Sequence, residues 1–513
     1  MPRYEHAPRR LSRPRRRRRL AASLWHDPRP VRLLYVTSEM APFAKTGGLG
    51  DVMGALPRAL HRLGHEVRVF LPAYARVDAR KVGLVRVPGL EELELRLGPR
   101  RVVVSIATAT LPGSDLAVHF VHCPGLFGRH AIYSNDPDEH LRFLALSYAA
   151  LEACRRTGFA PDVVHCNDWP TALVPMILKV AYARDPILGR ARSLLTIHNL
   201  RYQGIFPAGV VADTGLAGAV DRFHQDQLRE GRVNFLLHGL LYADGVNTVS
   251  PTYSREIQGP EQGAGLDPFL RARSTTVVGI LNGVDYDEWS PERDGHIPYH
   301  YGPDDLSGKE LDKEWLLGQL GLPYVPGVPL LGVVSRLVGQ KGLDLLADVA
   351  PGLLQRHGFQ LVVLGSGEHR LEERFAHLQH LFPRQVCFFR GFSNELAHGI
   401  EAGADMFVMP SRYEPCGLNQ MYSLRYGTVP IVHRTGGLAD TVRLWDPRTG
   451  EGTGFPFEQH DAPGLRWGIE AALGVHRDPS AWRRLMHNGM AQDWSWDRQA
   501  KVYELLYSRQ RET

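Results

Sequence analysis

The sequence predicts two open α/β domains, each built on a mainly parallel sheet, facing one another across a cleft. A strand, a glycine-rich turn, a helix and a second strand follow one another from residue 31. The same alternation restarts near Gly327, with no close sequence repeat between the halves. The length of 513 residues, 43% of them hydrophobic, suits two or three domains with sizeable cores.

The segment 31–37 (VRLLYVT) reads as a buried strand. After Gly47, Gly48 and Gly50, apolar residues recur at helical spacing from Val52 to Leu63, with Pro57 interrupting the pattern and Gly64 ending it. Residues 65–71 form the second strand, and 101–107, 163–166 and 194–197 read as further strands, with a helix over 141–154. In the second half, strands are expected at 330–334, 360–364, 386–389, 406–409 and 429–432, and helices at 343–354 and 369–381. The stretch 259–279 reads as the crossing between domains, and the Pro-rich 291–329 as an irregular insertion. The end, 494–507, is helical, and its Trp494, Trp496, Tyr503 and Tyr507 need a surface to bury against. The boundaries expected are a tail over 1–30, domains over 31–278 and 279–480, and a closing helical segment over 481–513.

The formal charge of +5 is uneven, because an arginine run over 15–19 lies in a proline-punctuated tail; without it the chain is slightly acidic. The tail reads as a solvated extension, with a phosphate- or membrane-attracted patch as the charged alternative. Glu5, Asp27 and the scarcity of Ser count against a transit peptide, and an initiation site downstream of Met1 stays open. No apolar run is long enough to span a membrane. Five cysteines, an odd number without a CxxC pair, indicate neither a disulfide framework nor a zinc site and fit a reducing, cytoplasmic setting.

Ligands of open α/β sheets sit beyond the carboxyl ends of the strands, where polar and glycine-rich segments fall in both halves. Lys45, Gly47, Gly48 and Asp51 form a turn whose amides suit phosphate oxygens and whose lysine adds a charge, although an ordinary βα turn would look the same. The spacing is not that of a P-loop. Arg336 and Lys341 flank a loop after a strand and could clamp a diphosphate, or be solvated. Glu414 stands at a strand end before Cys416, Gly417 and Leu418, where a carboxylate could take sugar hydroxyls and amides could meet phosphate; a helix cap is the plainer reading. Thr435, Gly436 and Gly437 make another glycine-rich helix start, and Asp168, His198 and Asn199 follow strand ends.

These segments occur in one order: KTGGLGDV at Lys45, TIHNL at Thr196, SPTYSREI at Ser250, LNGVD at Leu281, SRLVGQKGLDLL at Ser335, SRYEPCGLNQMY at Ser411 and RTGGLADTV at Arg434. Together they resemble the glycogen and starch synthase family over about residues 31–507. The resemblance implies the GT-B fold and a retaining transfer of glucose from ADP-glucose to the 4-OH of an α-1,4-glucan, in the bacterial cytoplasm. No cofactor and no metal are expected. It places the acceptor on the first domain, the nucleotide mainly on the second, and the closing helix back on the first.

Carried onto this chain, the resemblance puts Lys45, Gly47 and Gly48 near diphosphate and glucose, with Asp51, Asp168 and Asn199 in the same pocket. Arg336 and Lys341 neutralise the leaving ADP, His198 faces the sugar, Asn282 contacts glucose near the hinge, and Glu414 orients the ring. Cys416, Gly417, Leu418, Thr435, Gly436 and Gly437 meet phosphate or sugar, and Phe392 stacks on the base. With His198, Arg336, Lys341 and Glu414 as the catalytic set, preorganised cations and amides carry the reaction rather than a protein nucleophile. The chain departs from the family at Pro170, where many members have His, and in a short segment over 124–142. Tyr422 stands where the wider retaining GT-B group often has a second glutamate, which fits the synthase branch. The alternatives are a UDP-glucose donor, another acceptor, or a non-catalytic glucan-binding protein. Cys416 beside the site implies sensitivity to thiol reagents. No nucleic-acid motif accompanies the basic tail.

Overall fold

The computed structural model describes residues 30–512, so the arginine run and the readings attached to it lie outside the described residues. The first half contributes β1 (Arg32–Val36), β2 (Glu66–Pro72), β3 (Val85–Arg86), β4 (Leu93–Leu97), β5 (Arg100–Thr110), β6 (Ala117–His122), β7 (Val163–Asn167), β8 (Arg192–Ile197), β9 (Ile205–Pro207), β10 (Arg232–Asn234), β11 (Gly245–Thr248) and β12 (Val277–Gly279). Ten of these make one sheet in the order β12-β11-β8-β7-β1-β2-β6-β5-β3, with β4 paired to β5. From β12 to β6 the pairing is parallel, and β5 reverses against β6. The sequences RLLYV, VVHCN and RSLLTI are near-continuous apolar runs because these central strands are covered on both faces.

The second half supplies β13 (Leu330–Val334), β14 (Gln360–Gly365), β15 (Val386–Arg390), β16 (Met406–Met409), β17 (Val429–His433) and β18 (Phe455–Phe457). They form a parallel sheet in the order β15-β14-β13-β16-β17-β18. In each sheet the strand order reverses at one place, between β1 and β7 in the first and between β13 and β16 in the second. Chains leaving the strands on either side of such a reversal splay apart and open a crevice at the carboxyl edge. The loops after β1, β7, β13 and β16 are the segments carrying Lys45, Asp168, Arg336 and Glu414.

Three local expectations change. Helix Gly48–Arg62 starts inside the glycine turn and runs through the buried Pro57. The 259–279 stretch ends in β12, which pairs with β11 at the edge of the first sheet, so the crossing follows Gly279. Residues 291–329 contain helix Ser307–Gln319, which packs on helix Asn394–Gly403 through Leu316, Leu317, Ala397 and Ile400, while its Lys309 and Lys313 find buried acceptors. Lys313 Nζ lies 2.7 Å from Asp405 Oδ2, and Lys309 Nζ donates to the Ala402 carbonyl at 2.7 Å.

Helix Trp496–Glu512 packs on helix Gly48–Arg62 of the first half and buries Trp496, Ala500, Tyr503 and Tyr507, which helical spacing puts on one face. The tyrosine hydroxyls reach a polar chain beneath the first sheet. Tyr507 OH meets both Tyr35 OH and His165 Nδ1, the latter at 2.8 Å. His165 Nε2 meets Thr196 Oγ1 at 2.5 Å, Thr196 donates to Asn247 Oδ1, and Asn247 Nδ2 donates to Tyr503 OH at 3.3 Å. Since Thr196 spends its proton on Asn247, His165 donates through Nε2, and once neutral it accepts at Nδ1 from Tyr507 OH. Burial keeps the imidazole neutral, pushing its pKa down to about 3. Among the described residues no helix is long and apolar enough to cross a membrane.

Candidate active site

The two carboxyl edges enclose a cavity of about 1170 Å³. Lys45, Gly47, Gly48, Asp51, Asp168, His198, Asn199 and Asn282 line it, together with Arg336, Lys341, Phe392, Glu414, Cys416, Gly417 and Leu418. The walls come close: a Cβ on Gly48 would stand 3.7 Å from Leu418 Cδ1 of the facing half.

On the first wall, Glu39 fixes the glycine turn. This buried carboxylate accepts the Thr46 amide at 2.6 Å, the Gly47 amide at 3.1 Å, Thr46 Oγ1 at 2.9 Å and Tyr133 OH at 2.7 Å. Lys45 Nζ reaches Asp51 Oδ1 at 2.5 Å. Burial raises the Asp51 carboxyl, and the Lys45 charge opposes that rise. Asp168 is one of two non-glycine residues with positive φ among the described residues, at +53°. That conformation costs on the order of 1–2 kcal/mol, and it aims the carboxylate at two backbone donors. The His198 amide donates to Asp168 Oδ1 at 2.7 Å and the Asn199 amide at 3.3 Å. Burial lifts the Asp168 pKa to about 7, with these two bonds working the other way.

The His198 side chain is oriented by Asn167. Asn167 Nδ2 donates to the Val36 carbonyl, which leaves Oδ1 for His198 Nε2 at 3.0 Å. Nε2 therefore carries the proton and Nδ1 is an acceptor. Burial holds the imidazole neutral, with a pKa of about 3. Asn282 sits just after the crossing; it is buried, and its Oδ1 has no partner among the described residues.

On the second wall, Lys341 Nζ lies 2.6 Å from Glu414 Oε2, which also accepts Ser411 Oγ at 3.0 Å. The exposed Arg336 guanidinium has no partner among the described residues. Phe392 is 76% exposed on the cavity rim. Cys416 stands on the cavity wall with little exposure, and burial pushes its thiol up to about 12, which slows its reaction with thiol reagents.

Thr435, Gly436 and Gly437, expected to meet phosphate or sugar, stand behind the lining of the cavity. The Gly436 amide donates to Glu256 and the Gly437 amide to the Glu414 carbonyl at 3.1 Å. Here glycine serves backbone packing: a Cβ on Gly436 would fall 1.8 Å from the Glu414 carbonyl oxygen, and one on Gly437 2.0 Å from that of Cys416. Sequence reasoning missed Glu39, Tyr133, Trp169, Tyr202, Trp289 and Asn394 of the lining. Of these, the residues near the strand ends of β1 and β7 had a positional signal; Trp289 and Asn394 had none.

Residues 32–272 match the family model described as starch synthase catalytic domain, and residues 325–484 that of glycosyl transferases group 1. The glycogen synthase of Anaeromyxobacter dehalogenans (strain 2CP-C) is 47% identical over 482 residues, covering 93% of this chain and 99% of that one. Glycogen synthase 1 of Geobacter sulfurreducens is 44% identical, over 93% and 96% respectively. The catalytic domain of starch synthase IV from Arabidopsis thaliana, solved bound to ADP and acarbose, superposes with a TM-score of 0.88 at 35% identity, covering 94% of this chain and 100% of that one. Sucrose-phosphate synthase from Thermosynechococcus elongatus, at TM-score 0.57 and 19% identity over 93% and 98%, shares the fold alone. The two facing parallel sheets are the GT-B arrangement.

Proposed function

This chain belongs to the glycogen and starch synthase family of retaining glycosyltransferases, and we propose that its cleft moves glucose from ADP-glucose to the 4-OH at the non-reducing end of an α-1,4-glucan. One observation carries the reading: Lys45, Arg336 and Lys341 converge with His198, Asn282 and Glu414 on one cavity whose walls belong to facing sheets. Such a cavity suits a ligand that is anionic at one end and hydroxylated at the other. The ADP and acarbose held by the starch synthase IV structure have that chemistry.

In the step proposed, the bond between the glucose anomeric carbon and the β-phosphate oxygen breaks as the acceptor O4 bonds to the same face of that carbon. The acceptor proton passes to a β-phosphate oxygen, and ADP leaves. Negative charge grows on the phosphates and positive charge on the sugar ring. Fixed donors aimed at the growing charge lower the barrier without reorganising. Arg336, with its fork unpaired, and Lys341 meet the diphosphate, aided by the Gly417 and Leu418 amides. Lys45, Gly47 and Gly48 approach the diphosphate from the other wall, beside Asp51. Glu414 keeps one oxygen on Lys341 and offers the other to a glucose hydroxyl. His198, neutral with Nδ1 accepting, takes a hydrogen bond from the sugar, and Asn282 and Asn199 bind hydroxyls nearby. Asp168 holds the loop bearing His198. Phe392 gives the base a stacking face. These cations make a metal unnecessary, and five free thiols suit a bacterial cytoplasm.

The test is linkage analysis of glycogen extended with labelled ADP-glucose, with and without a chelator. Label in new α-1,4 linkages, released by an exo-acting amylase and undiminished by chelator, is the expected result. Label in another linkage, or dependence on a divalent ion, would overturn the acceptor assignment or the metal-free mechanism respectively.

A further inference from the structure

The two halves of the molecule cap each other's helices across their boundary. Helix Pro251–Glu256 follows β11 in the first half, and helix Gly436–Thr441 follows β17 in the second. Asp440 of the second half accepts the Thr252 amide at 2.8 Å and Thr252 Oγ1 at 2.7 Å. Glu256 of the first half accepts the Gly436 amide, at 3.0 Å to Oε1 and 3.1 Å to Oε2, and Thr435 Oγ1 at 3.1 Å.

What Glu256 grips is not a free surface. Gly436 lies flat against the Glu414 carbonyl and Gly437 against that of Cys416, with no room for a Cβ at either. A displacement of the Gly436 peptide is therefore passed to the chain carrying Glu414, Gly417 and Leu418. At its other end Glu256 is tied to the sugar-side wall: its helix follows β11, which pairs in parallel with β8, and β8 leads directly into His198.

We infer that Glu256 is a positioning residue that sets the register of the half-site bearing His198 against the half-site bearing Glu414. It touches no substrate and acts through Gly436. This inference rests on the reading of the cleft as a glucosyl-transfer site. A displacement near 1 Å between reacting groups costs about 10²-fold in rate. Binding of ADP, by contrast, draws mainly on Arg336 and Lys341, which stand on the loop after β13 and outside the chain that Gly436 abuts, so it is expected to change less than turnover. Loss of Glu256 is thus expected to separate turnover from nucleotide affinity. The Asp440–Thr252 contact joins the halves through the other end of the same helix, away from the Gly436 and Gly437 peptides packed on the Glu414 and Cys416 carbonyls, so it provides the comparison.

The experiment measures kcat from ADP-glucose to glycogen, the Kd of ADP, and the thermal midpoint, for wild type, Glu256→Ala, Glu256→Gln, Glu256→Asp and Asp440→Asn. Expected are a kcat lowered about 10- to 100-fold in Glu256→Ala with ADP Kd within about threefold of wild type, partial recovery in Glu256→Gln, which keeps one acceptor oxygen, and a smaller effect in Asp440→Asn. Glu256→Asp keeps the charge but shortens the reach, and serves if the alanine variant does not fold: its kcat falls at an unchanged midpoint. The inference is overturned if Glu256→Ala or Glu256→Asp turns over like wild type, if ADP affinity falls as far as kcat, or if Asp440→Asn has the same effect. Absence of transfer by the wild type itself would instead overturn the functional reading on which it rests.

Discussion

Gly283, beside Asn282, provides a quantitative probe of how the closing helix supports the site. A Cβ built there stands 2.6 Å from Trp496 Cδ2, 2.8 Å from Cγ and 2.9 Å from the Trp496 Cα. Carbon atoms settle at about 3.5–4.0 Å, so Gly283→Ala must open a gap near 1 Å between the crossing segment and the helix. The neighbours are poorly placed to yield. The Val284 amide donates to the Trp494 carbonyl at 2.7 Å, and Trp496 is only 5% exposed within a packed cluster. Overpacking of this kind costs about 1–3 kcal/mol. If the cost falls on docking of the helix, amide exchange over residues 496–512 accelerates by about 5- to 150-fold. Trp496→Ala alone costs about 3–5 kcal/mol by losing the buried indole, yet it removes two of the three crowding atoms, Cγ and Cδ2, and leaves only the Cα. The double variant should therefore be less destabilised than the sum of the two by about 1–3 kcal/mol. Additive effects, or unchanged exchange in Gly283→Ala, would show that Trp496 does not limit the space at Gly283.

Three further outcomes are expected. Arg336→Ala and Lys341→Ala each lower kcat/KM by about 10²–10³-fold if they stabilise charge on the leaving diphosphate, with retained folding checked by thermal midpoint. His165 is held neutral by burial with its pKa lowered to about 3; the unfolded chain binds the extra proton first, so this contribution is complete above about pH 6.5 and declines as pH falls. It amounts to about 2 kcal/mol between pH 7 and pH 5, so His165→Gln should be less stable at pH 7 but lose less than wild type on acidification; parallel curves would contradict this. Cys416, buried with its thiol pushed up to about 12, should react with iodoacetamide more slowly than the half-buried Cys387, and activity should survive modification of the latter.

Much of the fold was legible because parallel strands covered on both faces are continuous apolar runs; Leu330–Val334 and Met406–Met409 begin and end where the residues change character. The short β12 was hidden in a stretch rich in glycine and arginine, since three residues carry no period. At the site, cations and glycines after strand ends marked Lys45, Arg336 and Glu414 correctly as cavity residues. The same glycine signal marked Thr435, Gly436 and Gly437, which lie off the cavity lining and pack on carbonyls, because a residue without a Cβ admits a phosphate or a packed carbonyl equally well. Glu39, Glu256 and Asp440 were invisible for another reason: their partners come from a later turn, another strand or the opposite half, and no local pattern encodes such pairings. The positive φ of Asp168 likewise follows from two amides thirty residues away.

The central claim is that the facing cations and sugar-side groups transfer glucose from ADP-glucose to glycogen. Its most direct test is incorporation of labelled glucose into glycogen from ADP-glucose and, in parallel, from UDP-glucose, by wild type and Arg336→Ala. Strong incorporation from ADP-glucose, weak incorporation from UDP-glucose and a steep loss in Arg336→Ala is the predicted result. Preference for UDP-glucose would contradict the donor assignment, and no incorporation from either donor by the folded wild type would contradict the claim as a whole.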